Sequence, residues 1–233
     1  MIEKLLALAV LAAVTACGQE PPPTAQAVAP SPAAAPSHPN VVMLLATAAG
    51  CKKRTEGTGF VYAPERVMTV AHAVAGSTAP ITVTGSDGRH HEGTVVVFDP
   101  DRDVAVLRVP GLTARPLRFA PADDGDDFTF AGYQKGGHFT ERPGRVDRVT
   151  PAVSNDIYHK HEVEREVLVV LAKVEPGLAG APMLGSGGMV TGMVYAADTG
   201  NPVKGYALSA KELGRPAEQG RTATEPVSTQ ECD

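Results

Sequence analysis

Short apolar or alternating segments recur along this chain between residues 41 and 208, and they leave little room for helices. Gly, Pro, Asn and Asp, which favour turns, separate these segments; Gly144–Val149 is one of them. Short strands at regular spacing are typical of a β-barrel or a β-sandwich, and the pattern alone leaves both open. A helical turn is expected at Ala71–Ala75, and a helix from Lys211 onward with Ser209 as its N-cap.

The first residues have the pattern of an export signal. Met1–Lys4 carries one positive charge, and Leu5–Val14 is an apolar run too short to span a bilayer. Val14-Thr15-Ala16-Cys17 resembles the bacterial lipobox, in which the Cys is lipidated after cleavage. We therefore expect a lipoprotein signal peptide at residues 1–17. Cys17 would anchor an exported protein to the outer face of the bacterial cytoplasmic membrane or cell envelope. The alternative is an ordinary secretory signal cleaved after Ala16.

Residues 18–40 are rich in Pro, Ala, Ser and Thr, and they include Pro21-Pro22-Pro23. A segment of this composition buries too little apolar surface to offset the entropy of ordering, so we expect a disordered linker. Residues 41–233 would then form the folded domain.

The formal net charge is -5, which does not favour a nucleic-acid partner. The histidines of His90-His91 and of His159-Lys160-His161 lack further ligands at the spacing of a metal site. We therefore expect no nucleic acid, no metal and no cofactor.

Two cysteines follow Cys17, namely Cys51 and Cys232. In an exported protein such a pair predicts a disulfide, with two free thiols as the alternative. Closing so long a loop would stabilise the fold by roughly 3–5 kcal/mol on the chain-entropy model. It would also tie down the polar tail Gly220–Glu231.

Three segments stand out as candidates for chemistry. The first is Gly57-Thr58-Gly59-Phe60-Val61-Tyr62 followed by Val67-Met68-Thr69-Val70-Ala71-His72-Ala73-Val74. The second is Phe98-Asp99-Pro100-Asp101-Arg102-Asp103-Val104-Ala105-Val106-Leu107-Arg108. The third is Val174-Glu175-Pro176-Gly177-Leu178-Ala179-Gly180-Ala181-Pro182-Met183-Leu184.

In this order the three segments resemble the catalytic motifs of the trypsin-like serine proteases. The resemblance implies an all-β, chymotrypsin-like double β-barrel with the cleft between the barrels, to which the residue pattern adds a short C-terminal helix. It assigns His72 as the catalytic base and Asp103 as the residue that orients it, while Asp99 and Asp101 are turn residues. The nucleophile position is Ala179, and the resemblance gives the oxyanion-binding amides to Gly177 and Ala179.

A narrower resemblance is to the actinobacterial periplasmic serine proteases linked to acid resistance. It rests on the Asp99–Leu107 run, on Ile157-Tyr158 with Arg165-Glu166-Val167, on Gly205-Tyr206-Ala207-Leu208 and on the placement of Cys51 and Cys232. It implies a substrate-side wall that includes Tyr195, Ala196, Ala197 and Tyr206.

The third motif departs from the family pattern at three positions. Ala179 replaces the nucleophilic Ser, Leu178 replaces an Asn or Asp that orders the loop, and Ala181 replaces the second Gly. Losing the nucleophile costs about 10⁶-fold in turnover. Ser186 is the other candidate nucleophile, but Gly185-Ser186-Gly187-Gly188 has the composition of a hairpin turn.

Three hypotheses follow from these observations. In the first, the chain is a catalytically inactive pseudoprotease that binds a peptide or protein through the old cleft. In the second, it is an active serine endopeptidase with an unrecognised nucleophile. In the third, it is a structural interaction protein of the cell envelope in which the cleft has no role.

Overall fold

The structure, a computed structural model, describes residues 38–233. In that part of the chain twelve β-strands are followed by one α-helix. The first six strands are β1 (Val41–Ala48), β2 (Lys53–Ala63), β3 (Arg66–Thr69), β4 (Ile81–Thr84), β5 (His90–Asp99) and β6 (Val104–Arg108). The next six are β7 (Asp127–Tyr133), β8 (Phe139–Asn155), β9 (Glu162–Leu171), β10 (Pro182–Leu184), β11 (Val190–Ala197) and β12 (Gly205–Ser209). The helix is α1 (Ala210–Thr222), and two short 3₁₀ turns lie at Ala49–Cys51 and Ser186–Gly188.

The strands close into two antiparallel barrels. The first has the strand order β1-β2-β3-β6-β5-β4, and the second has the order β10-β11-β12-β9-β8-β7. In each barrel the last strand of the order pairs back onto the first, as β1 does with β4 and β10 with β7. Closure of this kind leaves no unpaired sheet edge. The all-β, chymotrypsin-like double β-barrel with a short C-terminal helix is therefore confirmed.

An apolar cluster shared by both barrels holds them together. Phe60 and Met68 enter it from the first barrel, Met193 and Leu208 from the second, and Leu213 from the helix α1, all fully buried. Burying an apolar side chain of this size stabilises a fold by about 1.5–3 kcal/mol. The shared core therefore fixes the relative position of the loops that border the boundary between the barrels.

The helix α1 docks on the first barrel through Arg66, a buried cation on β3. Its Nε donates to the carbonyl of Gly220 at 2.7 Å, and its Nη2 donates to the carbonyl of Ala223 at 3.0 Å. Ser209 occupies the predicted N-cap position, but its hydroxyl makes no capping hydrogen bond. The helix is thus held by packing and by Arg66 at its C-terminal end.

The tail after α1 lies along the first barrel. Val227 N–H donates to the carbonyl of Val95, and Gly76 N–H donates to the carbonyl of Thr229, each at 3.0 Å. The disulfide between Cys51 and Cys232 is present at the end of this segment. The tail is therefore fastened covalently as well as by hydrogen bonds.

Two of the local predictions differ from the structure. The segment expected at Gly144–Val149 belongs to β8, which runs over 17 residues from Phe139 to Asn155. Much of β8 is exposed, so its polar ends carry no apolar signal of a strand. The helical turn expected at Ala71–Ala75 consists of hydrogen-bonded turns without a helix.

The signal peptide expected at residues 1–17, Cys17 and most of the linker expected at residues 18–40 lie outside the described residues. The last linker residues already contact the domain, since Val61 N–H donates to the carbonyl of Asn40 at 2.8 Å. Within residues 38–233 no helix has the length and apolar character needed to cross a membrane.

Candidate active-site cleft

His72 lies in the turn that follows β3. Its neighbours Ala71 and Ala73 are buried, while 27% of the His72 side chain remains exposed. His72 Nδ1 lies 2.8 Å from Asp103 Oδ2, and His72 N–H donates to Asp103 Oδ1 at 2.9 Å. Asp103 therefore holds both the backbone and the ring of the histidine.

Asp103 directly precedes β6 and has only 3% of its surface exposed. Its φ of 59° lies in the left-handed region, which costs a non-glycine residue about 1–3 kcal/mol. The two hydrogen bonds from His72 hold the Asp103 carboxylate in place. Asp103 thus combines an uncommon backbone conformation with a buried side chain that is engaged by His72.

The pKa of His72 is raised above its ordinary value. Burial of the imidazole acts to lower the pKa, but the negative charge of Asp103 and its hydrogen bond raise it by more. The arrangement is the one in which a carboxylate orients an imidazole and stabilises its protonated form.

The loop that carries Ala179 is fastened to both barrels. Thr58 N–H, in β2, donates to the carbonyl of Ala179 at 2.9 Å, and Thr58 Oγ1 donates to the carbonyl of Gly177 at 2.9 Å. Lys135 N–H, just after β7, donates to the carbonyl of Pro176 at 2.8 Å. The loop therefore has a defined backbone path although it contains no regular secondary structure.

Two glycines of this loop cannot be replaced by another residue unless the surrounding backbone moves. Gly177 and Gly180 have φ values of 97° and 87°. A Cβ on Gly180 would lie 2.0 Å from the carbonyl oxygen of Thr58, and one on Gly177 would lie 2.5 Å from the nitrogen of Lys135. These glycines of the motif are thus required by close backbone contacts.

Leu178 and Ala181, the other two departures from the family pattern, are both fully buried in the core of the second barrel. Gly132 on β7 provides the space, because a Cβ there would lie 2.9 Å from Leu178 Cδ2 and 3.0 Å from Ala181 Cβ. The loop is therefore anchored by apolar packing at the position where the family has a polar residue.

The carboxylate of Glu175 also anchors the loop. It accepts hydrogen bonds from Gln134 Nε2, from Arg142 Nη2 at 2.5 Å and from Lys173 Nζ at 2.8 Å. The hydrogen bond from Lys173, with the charge of Arg142, lowers the pKa of Glu175 despite some burial. Glu175 thus remains ionised and ties the start of the loop to β7 and β8.

The amides of Gly177 and Ala179 have no acceptor within the described part of the chain. Among the hydrogen bonds formed within residues 38–233, none uses either of these two N–H groups as a donor. An oxyanion hole requires free amides of this kind. The oxyanion role of Gly177 and Ala179 stays a prediction, since neither residue lines the cleft that opens beside His72.

A cleft of about 630 Å³ opens beside His72 and Asp103. The structure places Tyr195 and Ala196 of β11 in its wall, as the sequence analysis proposed for the substrate side. Tyr195 is the bulged residue between Val194 and Ala196, and a bulge redirects a side chain.

Two residues predicted for the same wall, Ala197 and Tyr206, are not among the residues that line this cleft. Ala197 is exposed at the end of β11. The hydroxyl of Tyr206 donates to Asp198 Oδ2 at 2.6 Å, and its ring lies 6.5 Å from that of Tyr195. Tyr206 therefore lies next to Tyr195 without lining the cleft itself.

A further wall comes from β8, from β9 and from the turn between them. The sequence analysis named Ile157, His159 and Arg165 but gave none of them a role in the cleft. The members of this wall in the cleft are Ser154, Asn155, Asp156, Ile157, His159 and Arg165. One signal was present in the sequence. Arg165 falls in phase with Val163 and Val167 on an alternating strand, where an inward position is normally apolar.

The structure brings two carboxylates to His161 that the spacing along the sequence did not indicate, and the expectation of no metal stays a prediction. Its Nε2 lies 3.1 Å from Asp101 Oδ1 and its Nδ1 lies 3.7 Å from Asp156 Oδ2. The ligand atoms of these three residues lie within 4.8 Å of one another. These contacts place His161 between the two carboxylates.

Ser186 occupies the 3₁₀ turn between β10 and β11 and is exposed. The two surface pockets that it borders contain neither His72 nor Asp103. Its position fits the prediction of a hairpin turn. In contrast, Ser154 does line the cleft, where its hydroxyl accepts a hydrogen bond from Arg165 Nη2 at 3.0 Å.

Comparison with known proteins agrees with this geometry. The chain is 43% identical over 206 residues to the serine protease Rv3671c of Mycobacterium tuberculosis, covering 87% of this chain and 51% of that protein. The chain thus spans about half the length of this curated relative. A probable periplasmic DegP-like serine endoprotease of Chlamydia pneumoniae is 29% identical over 153 residues, covering 64% of this chain and 30% of that protein.

Solved structures give the same result. The crystal structure of the active form of the M. tuberculosis Rv3671c protease superposes with a TM-score of 0.80 at 41% identity, covering 84% of this chain and 86% of that one. Its inactive form superposes with a TM-score of 0.68, covering 78% and 89%. A sequence profile of the trypsin-like peptidase domain matches residues 57–193. Together with the closed double barrel and the His72–Asp103 pair, these matches show that the chain belongs to the trypsin-like serine peptidase family.

Proposed function

We propose that this chain is an exported, membrane-anchored member of the family that does not hydrolyse peptide bonds and instead binds a peptide or protein segment in its cleft. The observation that carries the proposal is Ala179, which stands at the nucleophile position of the sequence motif, in a loop tied to both barrels by hydrogen bonds from Thr58 and Lys135. The reaction needs a side-chain oxygen for His72 to deprotonate, and a methyl group has none.

Several features support a cleft that is retained for binding. The His72–Asp103 pair is formed, and the amides of Gly177 and Ala179 have no internal acceptor within the described part of the chain. The backbone superposes better on the active form of Rv3671c than on its inactive form, with TM-scores of 0.80 and 0.68.

The proposed ligand is an extended polypeptide. The pairing of β11 with the short strand β10 reaches only to Met193, while β11 itself runs on to Ala197 and pairs there with β12 alone. A segment laid along this last part of β11, on the side away from β12, could form main-chain hydrogen bonds. The open cleft of about 630 Å³ would accept its side chains between His72 and the β8–β9 wall.

Membrane anchoring and location in the cell envelope rest on the sequence of residues 1–17, and the Chlamydia relative is itself named periplasmic. Replacement of Cys17 by Ser tests the anchor. We expect the native protein to partition into detergent and the variant to partition into the aqueous phase.

The test of the function uses a fluorophosphonate probe, which labels activated serines, on the purified native chain and on its Ala179→Ser variant. We expect no label on the native chain and labelling of the variant, with loss of that label when His72→Ala is added. Native labelling that disappears in Ser154→Ala or Ser186→Ala would instead establish an active peptidase with another nucleophile. Silence from both chains would mean that the loop no longer activates a serine, which favours the structural interaction protein.

A further inference from the structure

Arg165 is a buried cation in the wall of the cleft beside His72. It belongs to β9, where its flanking residues Glu164 and Glu166 are more exposed, and only 4% of Arg165 remains accessible. It lines the same cleft as His72 and Tyr195. Burial raises the pKa of Tyr195, and the positive charge of Arg165 acts against this rise.

The guanidinium of Arg165 has only neutral partners. Its Nη2 donates to Ser154 Oγ at 3.0 Å and to the carbonyl of Asn155. Its Nε is buried and has no hydrogen-bond partner. None of the ion pairs formed between residues 38 and 233 includes Arg165. Its donor capacity is therefore only partly used.

Two of the three acidic residues that share the cleft have other partners. Asp103 is held by His72, and Asp156 accepts the Lys160 N–H at 2.7 Å and pairs with His161. The third, Asp233, accepts a hydrogen bond from Lys53 Nζ through its main-chain oxygen at 3.0 Å and forms no ion pair with Arg165. The charge of Arg165 thus has no dedicated counter-ion in the free protein.

Withdrawing a charged group from water without a counter-ion costs free energy, and an anionic ligand would recover it. The planar guanidinium presents its donors in a fork that matches a carboxylate. We propose that Arg165 is the carboxylate-recognition residue of the cleft, so that the ligand is a peptide that places an acidic side chain or its C-terminal carboxylate between Tyr195 and Arg165. This inference rests on the proposed peptide-binding function.

The experiment measures binding of N-acetylated octapeptide pools to the purified full-length chain. One position at a time is fixed as Glu, Gln or Lys, and each pool is made with a free and with an amidated C-terminus. We expect the native chain to prefer a carboxylate over its amide by about 30-fold or more, since 30-fold is the lower end of the effect of breaking a buried charge pair. A preference for internal Glu in the amidated pools identifies a side chain, and a preference for the free C-terminus identifies the terminal carboxylate.

The Arg165→Gln variant should lose this preference, and Arg165→Lys should keep part of it because it retains the charge without the fork. Arg148→Gln, an exposed arginine on β8, is the matched control for the change in net charge and should bind as the native chain does. Thermal unfolding checks that each variant is folded. If Arg165→Gln does not fold, the native chain is compared with Arg165→Lys, which should show a smaller preference for the carboxylate.

The outcomes separate this inference from the proposed function. Equal affinity of the native chain for the Glu, Gln and Lys pools would overturn the role of Arg165 and leave peptide binding standing. A carboxylate preference that survives in folded Arg165→Gln would overturn it as well. If no pool binds the native chain, the proposed function fails, and the role of Arg165 fails with it.

Discussion

The hydroxyl of Thr58 joins the first barrel to the nucleophile loop, because it donates to the carbonyl of Gly177 at 2.9 Å and accepts the N–H of Tyr133 at 2.9 Å. Thr58→Val removes this hydroxyl and leaves a buried N–H and a carbonyl without their partner. We expect the free energy of unfolding to fall by about 1–3 kcal/mol. Thr58→Ser keeps the hydroxyl and should lose clearly less in the same denaturant titration. Equal losses in the two variants would mean that the methyl group, not the hydroxyl, is important.

Gly180→Ala tests the close approach of the loop to β2. The new Cβ would lie 2.0 Å from the carbonyl oxygen of Thr58 in a left-handed backbone conformation. We expect a loss of about 3 kcal/mol or more in the free energy of unfolding. Gly187→Ala is the matched control, since Gly187 also has a positive φ of 72° but no atom lies within 4 Å of its added Cβ. Its loss should be only about 1–2 kcal/mol. Comparable losses at both sites would contradict the tight contact.

Leu178→Asn restores the family's polar residue at a position that is fully buried in this chain. The change removes apolar packing in the second barrel and buries an amide among apolar side chains, so we expect destabilisation by about 3 kcal/mol. Leu178→Met, which conserves volume, should cost less than about 1.5 kcal/mol. Chemical unfolding of the two variants makes the comparison. A stable Leu178→Asn variant would show that the loop can reorganise around the family's own residue.

The raised pKa of His72 predicts a dependence of stability on pH. The folded protein holds this proton more tightly than the unfolded chain, so protonation of His72 stabilises the fold. The contribution is fully present below the ordinary histidine pKa of about 6.5 and is lost as the pH rises through the folded-state pKa. His72→Gln should remove this part of the pH dependence. Asp103→Asn should bring the pKa of His72 down, as followed by NMR titration of the imidazole. An unchanged pKa in Asp103→Asn would exclude Asp103 as the cause.

The fold could be predicted from the sequence because the features that indicate it lie in short stretches of neighbouring residues. Turn residues separate strands of the right length, and the glycines at 177 and 180 stand where only a glycine fits a left-handed turn pressed against another backbone. The His72, Asp103 and Ala179 positions follow from segments in which several neighbouring residues match at once. Through their resemblance to the family, these motifs predicted the double barrel and the loss of the nucleophilic hydroxyl from the sequence alone.

Tertiary structure decided what surrounds those motifs. Leu178 replaces the polar residue that orders this loop in the family, yet the fold accommodates it because Gly132, distant in the chain, has no side chain that would contact Leu178. Ser154 enters the cleft because β8 extends to Asn155, beyond the segment Gly144–Val149 that predicted it, and Arg165 enters from the paired strand β9. Such residues depend on contacts between segments far apart in the sequence, and a local pattern does not encode which distant side chain arrives. The charge and shape of the cleft, and therefore the choice of ligand, are properties of the assembled barrels.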